Sequence, residues 1–256
     1  MEQPSTIDTG IAILDIYDNE SLEKCVNSLA GIQASSYIIT NRTTPDPTFI
    51  YDKKISHQVS MATLRNHAIA HFRCLGLKYL FIFNSNVVVT DPNFIEKTIK
   101  IAEAFGTWFL TGYGEGSTVL DDAEKGQSLC VNTKLNTEAL FIRSGVVGNL
   151  GYFDERFINS SYLDVLDYTH RAIKLGIFPP ETFFPTLDNF YKLTDSENQR
   201  IGHSDILDEN NKSVGMSYGY FKHLYGYVPS MDDRKSASKD ELMIFMGDLQ
   251  TNYAKS

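Results

Sequence analysis

Two polar stretches contain residue types that could bind or activate a substrate. Asn84-Ser85-Asn86 separates two apolar runs, residues 79–83 and residues 87–89. Carboxamides at such a place can hydrogen-bond to phosphate, hydroxyl or base atoms, and their oxygens can ligate a hard cation without adding negative charge. Downstream, Asp164 and Asp167 are one helical turn apart. A carboxylate there could accept a proton as a general base.

The elements around the first stretch follow an α/β pattern. Leu64, Ala68 and Phe72 recur at helical spacing, and Gly76 ends the pattern. The apolar run that follows is short and rich in aromatic residues, which is typical of a strand buried on both faces of a sheet. Open α/β sheets bind ligands just outside the carboxyl ends of their strands. The pattern therefore predicts that residues 84–86 lie in a ligand-binding cleft.

The rest of the chain continues the alternation of strands and helices. Apolar runs predict strands at residues 11–14, 37–40, 50–51, 79–83, 108–111 and 140–142. Asn19 or Ser21 is expected to cap the helix after the first strand. Residues 112–127 have no periodicity and are predicted to form a surface loop. The predicted fold class is α/β, with a mostly parallel sheet flanked by helices.

Composition limits the classes of partner. The chain has 256 residues, of which 42% are hydrophobic, and its formal charge of −9 argues against a broad electrostatic grip on nucleic acid or an anionic membrane. No apolar run approaches the roughly 18 residues of a membrane span, and the polar N-terminus predicts no signal peptide. Cys25, Cys74 and Cys130 form no C-x-x-C pair and are expected to be free, buried thiols. A cytoplasmic location is therefore expected.

Two ordered stretches resemble the family 2 type glycosyltransferases of the GT-A fold. Arg65-Asn66, a helix, an aliphatic strand, the polar tripeptide, three valines and Asp-Pro follow one another as in the heart of that family. Residues 151–157, GYFDERF, match its second signature almost residue for residue, and the Arg-Ala before Gly176 matches the signature's end. The resemblance covers residues 11–176. The family usually has Asp-x-Asp at the tripeptide, which holds a divalent cation on the diphosphate of a nucleotide-sugar.

The resemblance implies a domain organisation and an activity. Residues 1–193 would form a GT-A-like glycosyltransferase domain, and residues 194–256 a C-terminal extension packed on it. The activity would be transfer of a sugar, with inversion, from a nucleotide-sugar donor. Uridine diphosphate is the family's commonest carrier. The acceptor could be a glycan, a protein, a small molecule or a modified nucleic-acid base.

The resemblance also implies roles for individual residues. Asp164 falls in the family's acidic pair, which supplies the catalytic base, and Asp167 is the second candidate. Donor-binding residues would be Tyr17, Asn41, Arg65, Asn84 and Asn86. Residue chemistry, without the resemblance, adds Arg200 to the donor-binding residues and His203 to Asn86 as ligands of a Mn²⁺ or Mg²⁺ cofactor. Without a metal, Arg65, Arg200 or Lys222 would carry the charge opposite the diphosphate. Asn41 could instead be a turn residue without a role in donor binding, and Asp164 could be a helix N-cap rather than the base.

Three functional hypotheses remain open from the sequence. The first is an active glycosyltransferase with weakened or absent metal dependence. The second is a catalytically silent relative that binds a nucleotide, a glycan or a protein through the same cleft. It is favoured because the positions that carry charge in the family are neutral here, at Thr40, Asn84, Asn86 and Val165. The third is a nucleotidyltransferase, which normally needs two or more carboxylates around its metals.

Overall fold

The structure is a computed structural model that describes residues 8–55, 59–114, 117–122, 126–132, 135–158, 162–176, 184–194, 217 and 219–226. Its helices are α1 (Asn19–Ser28), α2 (Met61–Cys74), α3 (Phe94–Phe105), α4 (Ser144–Leu150) and α5 (Leu163–Lys174). Its strands are β1 (Thr9–Asp15), β2 (Ser35–Thr40), β3 (Lys53–Lys54), β4 (Tyr79–Asn84), β5 (Val87–Val89), β6 (Phe109–Leu110), β7 (Thr118–Asp122), β8 (Gln127–Asn132), β9 (Ala139–Arg143), β10 (Phe184–Thr186) and β11 (Tyr191–Leu193).

A six-stranded sheet lies at the centre, in the order β3-β2-β1-β4-β9-β6. The first three pairings are parallel. β9 runs antiparallel to both β4 and β6. Helices pack on this sheet, so the predicted α/β class with a mostly parallel sheet flanked by helices is confirmed.

Strand β4 is buried on both faces, as its apolar run predicts. Leu80 and Ile82 belong to the core cluster that contains α2 and α5. Phe81 and Phe83 point to the opposite side, into the cluster that contains α3. The alternation of side chains along a strand produces this division. One face of the sheet therefore carries the helices of both signature stretches.

Two smaller sheets extend the molecule. β10, β8 and β7 form an antiparallel sheet, and β11 pairs antiparallel with β5. The prediction of a loop over residues 112–127 is wrong in part, because β7 and the first residue of β8 lie within it. Residues 118–122, TVLDD, have too little apolar periodicity to indicate a strand, and they form one by pairing with β8.

Two local predictions are corrected. The third strand lies at Lys53–Lys54 rather than at residues 50–51, because Ile50 is 89% exposed and the ladder to β2 begins at Lys53. The cap of α1 is Asp18 rather than Asn19 or Ser21. Its Oδ1 accepts a 2.6 Å hydrogen bond from the backbone N–H of Ser21, which is the usual capping contact.

C-terminal residues 219–225 are helical and pack on α5. Phe221 is fully buried, and Tyr225 lies against His170 with ring centroids 4.8 Å apart. This aromatic segment is therefore a packing element where it is described. The division into residues 1–193 and 194–256 stays a prediction. In the described ranges, no helix has the length and apolar character needed to cross a bilayer.

The thiols divide into two buried groups and one exposed group. Burial raises the pKa of Cys25 to about 12 and, with the nearby Asp188 carboxylate, that of Cys130 to about 11. Cys74 is exposed at the end of α2, so the expectation of three buried thiols is wrong for this residue. The thiolate is the reactive form of cysteine, and of the three thiols only Cys74 is accessible to a reagent.

We expect a maleimide reagent to modify the native protein rapidly at one thiol. Cys74→Ser should abolish this rapid phase, because Cys25 and Cys130 are buried and hold their protons. Mass spectrometry of the intact protein measures the number of adducts with time. Fast double labelling of the native protein would contradict the burial of Cys25 and Cys130.

Candidate functional site

The strand order reverses between β1 and β4. The chain leaves β1 for β2 and β3 on one side and then returns to place β4 on the other side of β1. Ligands of open α/β sheets bind outside the carboxyl ends of the strands at such a reversal. Here those ends are Asp15, where β1 stops, and Asn84, where β4 stops. The candidate site is therefore the edge formed by these two strand ends and the segments that follow them.

Ser85, the middle residue of the tripeptide, holds this edge together. Its Oγ accepts hydrogen bonds from the backbone N–H groups of Ile16 at 3.3 Å and Tyr17 at 3.2 Å. Its own N–H donates to the Leu14 carbonyl at 3.0 Å. These contacts fix the turn after β1 against the end of β4. Sequence reasoning missed Ser85, because a serine between two asparagines gives no sign of its partners.

Glu138 supplies a carboxylate at the same edge. Asn84 Nδ2 donates to Glu138 Oε2 at 2.7 Å, and the Tyr17 hydroxyl lies 3.2 and 3.3 Å from the two carboxylate oxygens. The backbone N–H of Asn84 donates to the Glu138 carbonyl at 2.8 Å. Tyr17 and Asn84 are nearly inaccessible, whereas Glu138 is partly exposed. Sequence reasoning named Tyr17 and Asn84 but missed Glu138, the acid directly before the apolar strand β9.

Asn86 lies next to this group on the chain and is buried. Its backbone carbonyl accepts a 2.8 Å hydrogen bond from the N–H of Thr194. Its side-chain Oδ1 has no hydrogen-bond partner among the residues that the structure describes. The described residues also contain no group of three or more His, Cys, Asp or Glu side chains that could hold a metal ion.

Asn41 and Asp15 lie at the β1–β2 side of the edge. Asn41 Nδ2 donates to the Val59 carbonyl at 3.4 Å, a contact that ties β2 to the segment before α2. The Asp15 carboxylate is fully buried, and Arg42 Nη1 lies 3.2 Å from its Oδ1. Burial raises the pKa of Asp15, and the Arg42 guanidinium opposes that rise. Asp15 is therefore engaged inside the protein rather than facing the cleft.

Arg65 and Asp164 form an ion pair between α2 and α5. Arg65 Nη1 donates to Asp164 Oδ2, and neither side chain has any exposed surface. Burial raises the pKa of Asp164, and the Arg65 guanidinium opposes that rise by stabilising the carboxylate. Arg65 also lies over the ring of Phe153, 5.7 Å from its centroid. The structure thus brings together two residues to which the sequence assigned separate roles.

Asn66, the next residue of α2, joins the two signature stretches by backbone contacts. Its Nδ2 donates to the Phe153 carbonyl and its Oδ1 accepts from the Phe153 N–H, each at 2.9 Å. The same Nδ2 lies 2.8 Å from Glu155 Oε1. The Arg-Asn and Gly-Tyr-Phe-Asp-Glu stretches are therefore in direct contact, and several of their residues serve to pack the two stretches together.

Asp167 is held by two partners on the outer side of α5. Arg171 Nε donates to its Oδ2 at 2.9 Å, and the Tyr225 hydroxyl donates to its Oδ1 at 2.6 Å. The carboxylate is 3% exposed. Arg200 and His203, the remaining predicted site residues, lie outside the described residues. Of the predicted donor-binding residues, the structure joins Tyr17 to Asn84 through Glu138.

Solved structures that match this chain in fold include a sugar transferase. A mannosyltransferase from Pyrobaculum calidifontis in complex with GDP-Man and Mn²⁺ matches with a TM-score of 0.51 at 8% identity, over 96% of this chain and 73% of that chain. A Drosophila beta-1,4-galactosyltransferase 7 in complex with manganese, UDP-Gal and xylobiose matches with a TM-score of 0.39 at 11% identity, over 73% of this chain and 71% of that chain. A197 from STIV matches with a TM-score of 0.35 at 16% identity; the aligned part is 55% of this chain and 66% of that chain.

The structural likeness establishes the fold. At 8% identity, the mannosyltransferase match shows that this chain has a GT-A-like α/β fold of the kind found in nucleotide-diphospho-sugar transferases. No protein-family model matches the sequence. No characterised protein sequence matches it either.

Proposed function

We propose that this protein is a glycosyltransferase, similar to family 2 enzymes, that moves a sugar with inversion from a nucleotide-sugar to an acceptor. The observation that carries the proposal is the polar edge at the reversal point of the sheet, where Tyr17, Asn84 and Glu138 meet. Open α/β sheets bind ligands at such an edge, and the mannosyltransferase of similar fold is in complex with GDP-Man. A uridine diphosphate sugar is our first choice of donor, and we assign Asn41 to its base, as the resemblance implies.

In the proposed reaction an acceptor hydroxyl oxygen bonds to the anomeric carbon as the bond from that carbon to the diphosphate oxygen breaks. The hydroxyl proton passes to a base, and the nucleoside diphosphate leaves with the bonding electron pair. The second signature assigns the base to Asp164, with Asp167 as the alternative. Both carboxylates are buried and paired, so either must exchange an arginine partner for the acceptor before it can act.

The described residues do not fit a tightly held divalent cation. The tripeptide offers two neutral amides, and among the residues that the structure describes Glu138 adds one carboxylate beside Asn84. Hard cations depend on the number of charged ligands. The proposed metal ligands are Asn86 and His203, of which His203 lies outside the described residues. We therefore propose that arginine or lysine side chains, Arg200 among them, stabilise the leaving diphosphate.

A second candidate function is favoured by the buried ion pair. If Asp164 stays paired with Arg65, the protein has the cleft without the base and would bind a nucleotide, a glycan or a protein partner without transferring a sugar. The fold and the polar edge serve this function equally well. Only turnover distinguishes the two.

The test is a panel of UDP-, GDP- and TDP-linked sugars, assayed for release of the nucleoside diphosphate in Mn²⁺ and in chelator. We expect turnover of at least one donor that persists in chelator, because the described residues at the cleft offer a cation few charged ligands. Calorimetry with the same compounds measures binding. Binding without turnover by any donor would favour the silent relative, and an absence of both would contradict the glycosyltransferase proposal.

A further inference from the structure

The Glu138 carboxylate is positioned by two buried side chains at the reversal point of the sheet. Asn84 contacts one of its oxygens at 2.7 Å, and the Tyr17 hydroxyl lies within 3.3 Å of both. Both supporting side chains are at least 93% buried, since Tyr17 is 7% and Asn84 is 1% exposed. Glu138 as a whole residue is partly exposed. Its position is therefore set from inside the protein, and the residue is not sealed from solvent.

The topology explains why an acid from a distant part of the chain lies here. β9 is antiparallel to β4, so the amino end of β9 meets the carboxyl end of β4. The register pairs Phe83 with Ala139, which puts the preceding Glu138 beside Asn84. The edge therefore has a negative charge, supplied by the neighbouring strand, although the tripeptide is neutral.

Two of the groups that contact the Glu138 carboxylate are neutral hydrogen-bond donors. Tyr17 and Asn84 present a hydroxyl and an amide to the carboxylate, and such donors orient it without bringing a second negative charge. No cluster of three or more His, Cys, Asp or Glu side chains stands near it in the described part of the chain. A carboxylate that accepts hydrogen bonds from hydroxyl groups forms short, charge-assisted bonds.

We propose that Glu138 binds the vicinal hydroxyls of the donor, with Asn84 and Tyr17 as positioning residues. This inference rests on the proposed use of a nucleotide-sugar. Vicinal hydroxyls occur both on the ribose and on the transferred hexose, and both present the same chemistry to a carboxylate.

The experiment measures binding in chelator, so that a metal effect is removed. One arm compares UDP with 2′-deoxy-UDP, and GDP with 2′-deoxy-GDP; the other compares UDP-glucose with UDP-2-deoxyglucose. The proteins are the wild type, Glu138→Gln, and Glu23→Gln, a matched control at an exposed position of α1. Glu138→Gln keeps the shape and removes the charge.

We expect the wild type and the control to prefer the hydroxylated ligand by about 10- to 100-fold in one arm, as for a hydrogen bond to a charged group. In Glu138→Gln that preference should fall to about 1–3-fold, while the affinity for the deoxy ligand changes little. The arm that responds identifies the ribose or the hexose as the source of the hydroxyls.

Three results would overturn the inference. If the wild type binds nucleotides but Glu138→Gln keeps the same preference, Glu138 does not read hydroxyls, and the proposed function is unaffected. If the preference in chelator is unchanged and a parallel titration in Mn²⁺ shows that Glu138→Gln loses only the binding that requires the ion, the carboxylate serves a cation. If the wild type binds no nucleotide or nucleotide-sugar, both the inference and the proposed function are wrong.

Tyr17→Phe supplies a second measurement in case Glu138→Gln folds poorly. It leaves the carboxylate in place and removes one of its donors. We expect a several-fold loss of preference for the hydroxylated ligand with unchanged affinity for the deoxy ligand. A purely structural role for Tyr17 would weaken binding of both ligands alike, and an unchanged preference would count against the proposal.

Discussion

Asp164→Asn is expected to lower the free energy of unfolding by about 3–5 kcal/mol, because it leaves the Arg65 guanidinium buried without its counter-charge. Urea unfolding followed by circular dichroism measures this loss. The matched control is Glu96→Gln, which breaks the exposed pair with Lys100 on α3 and should change stability little. A similarly small loss in Asp164→Asn would contradict the buried pair.

A double variant separates the structural role of Asp164 from a catalytic one. Arg65→Met with Asp164→Leu removes both charges, and replacing a buried ion pair by apolar residues often restores or exceeds the original stability. If Asp164 is the base, transfer should fall on the order of 10²-fold or more in both the single and the double variant. If the pair only holds α2 to α5, the double variant should be stable and active, and the base assignment would be wrong.

Asn84→Asp is expected to bind manganese more tightly than the wild type does. The new carboxylate would face Glu138 across the contact that Asn84 Nδ2 now makes at 2.7 Å. Paired carboxylates are what hard cations require, and the neutral amide does not provide them. We expect Mn²⁺ affinity to rise on the order of tenfold or more, measured by calorimetry or by the paramagnetic relaxation of water.

Without the metal, the same variant should become less stable as the pH rises. Two carboxylates in contact cannot both ionise easily, so one of them has its pKa raised in the folded state. A group with a raised folded pKa contributes stability below its unfolded value of about 4 and loses that contribution as the pH rises.

The melting temperature of Asn84→Asp, relative to that of the wild type, should therefore decrease as the pH is raised from about 5 to about 8. Addition of Mn²⁺ should restore it. Asn27→Asp, at an exposed position of α1, makes the same charge change and should show neither effect. A pH-independent Asn84→Asp would contradict the contact with Glu138.

The central elements of the fold could be predicted from the sequence because they depend on local patterns of apolar residues and glycine. The apolar run of β4, the helical spacing of α2 and the stop at Gly76 each indicate their structure within a few residues. The strand β7 was missed because its pairing with β8, rather than its own composition, stabilises it. Local patterns thus predicted the parallel sheet and failed where a strand depends on its partner.

Only part of the candidate site could be predicted from the sequence, for the same reason. Tyr17 and Asn84 follow predicted strands, so their position at a sheet edge could be inferred. Glu138 precedes a strand, and it belongs to the site only because β9 is antiparallel to β4. The pairing of Arg65 with Asp164 was also invisible, since two charged residues in separate motifs suggest two tasks in substrate binding.

The buried pair also bears on the order in which the protein can fold. Arg65 meets its counter-charge 99 residues further along the chain, and Asn66 meets Phe153 87 residues further along. During synthesis α2 emerges first. Its arginine must stay hydrated until α5 has left the ribosome, because burying a lone guanidinium costs several kcal/mol. The face of the core between α2 and α5 therefore closes late, and a nascent chain that ends before residue 164 exposes apolar surface that chaperones can bind.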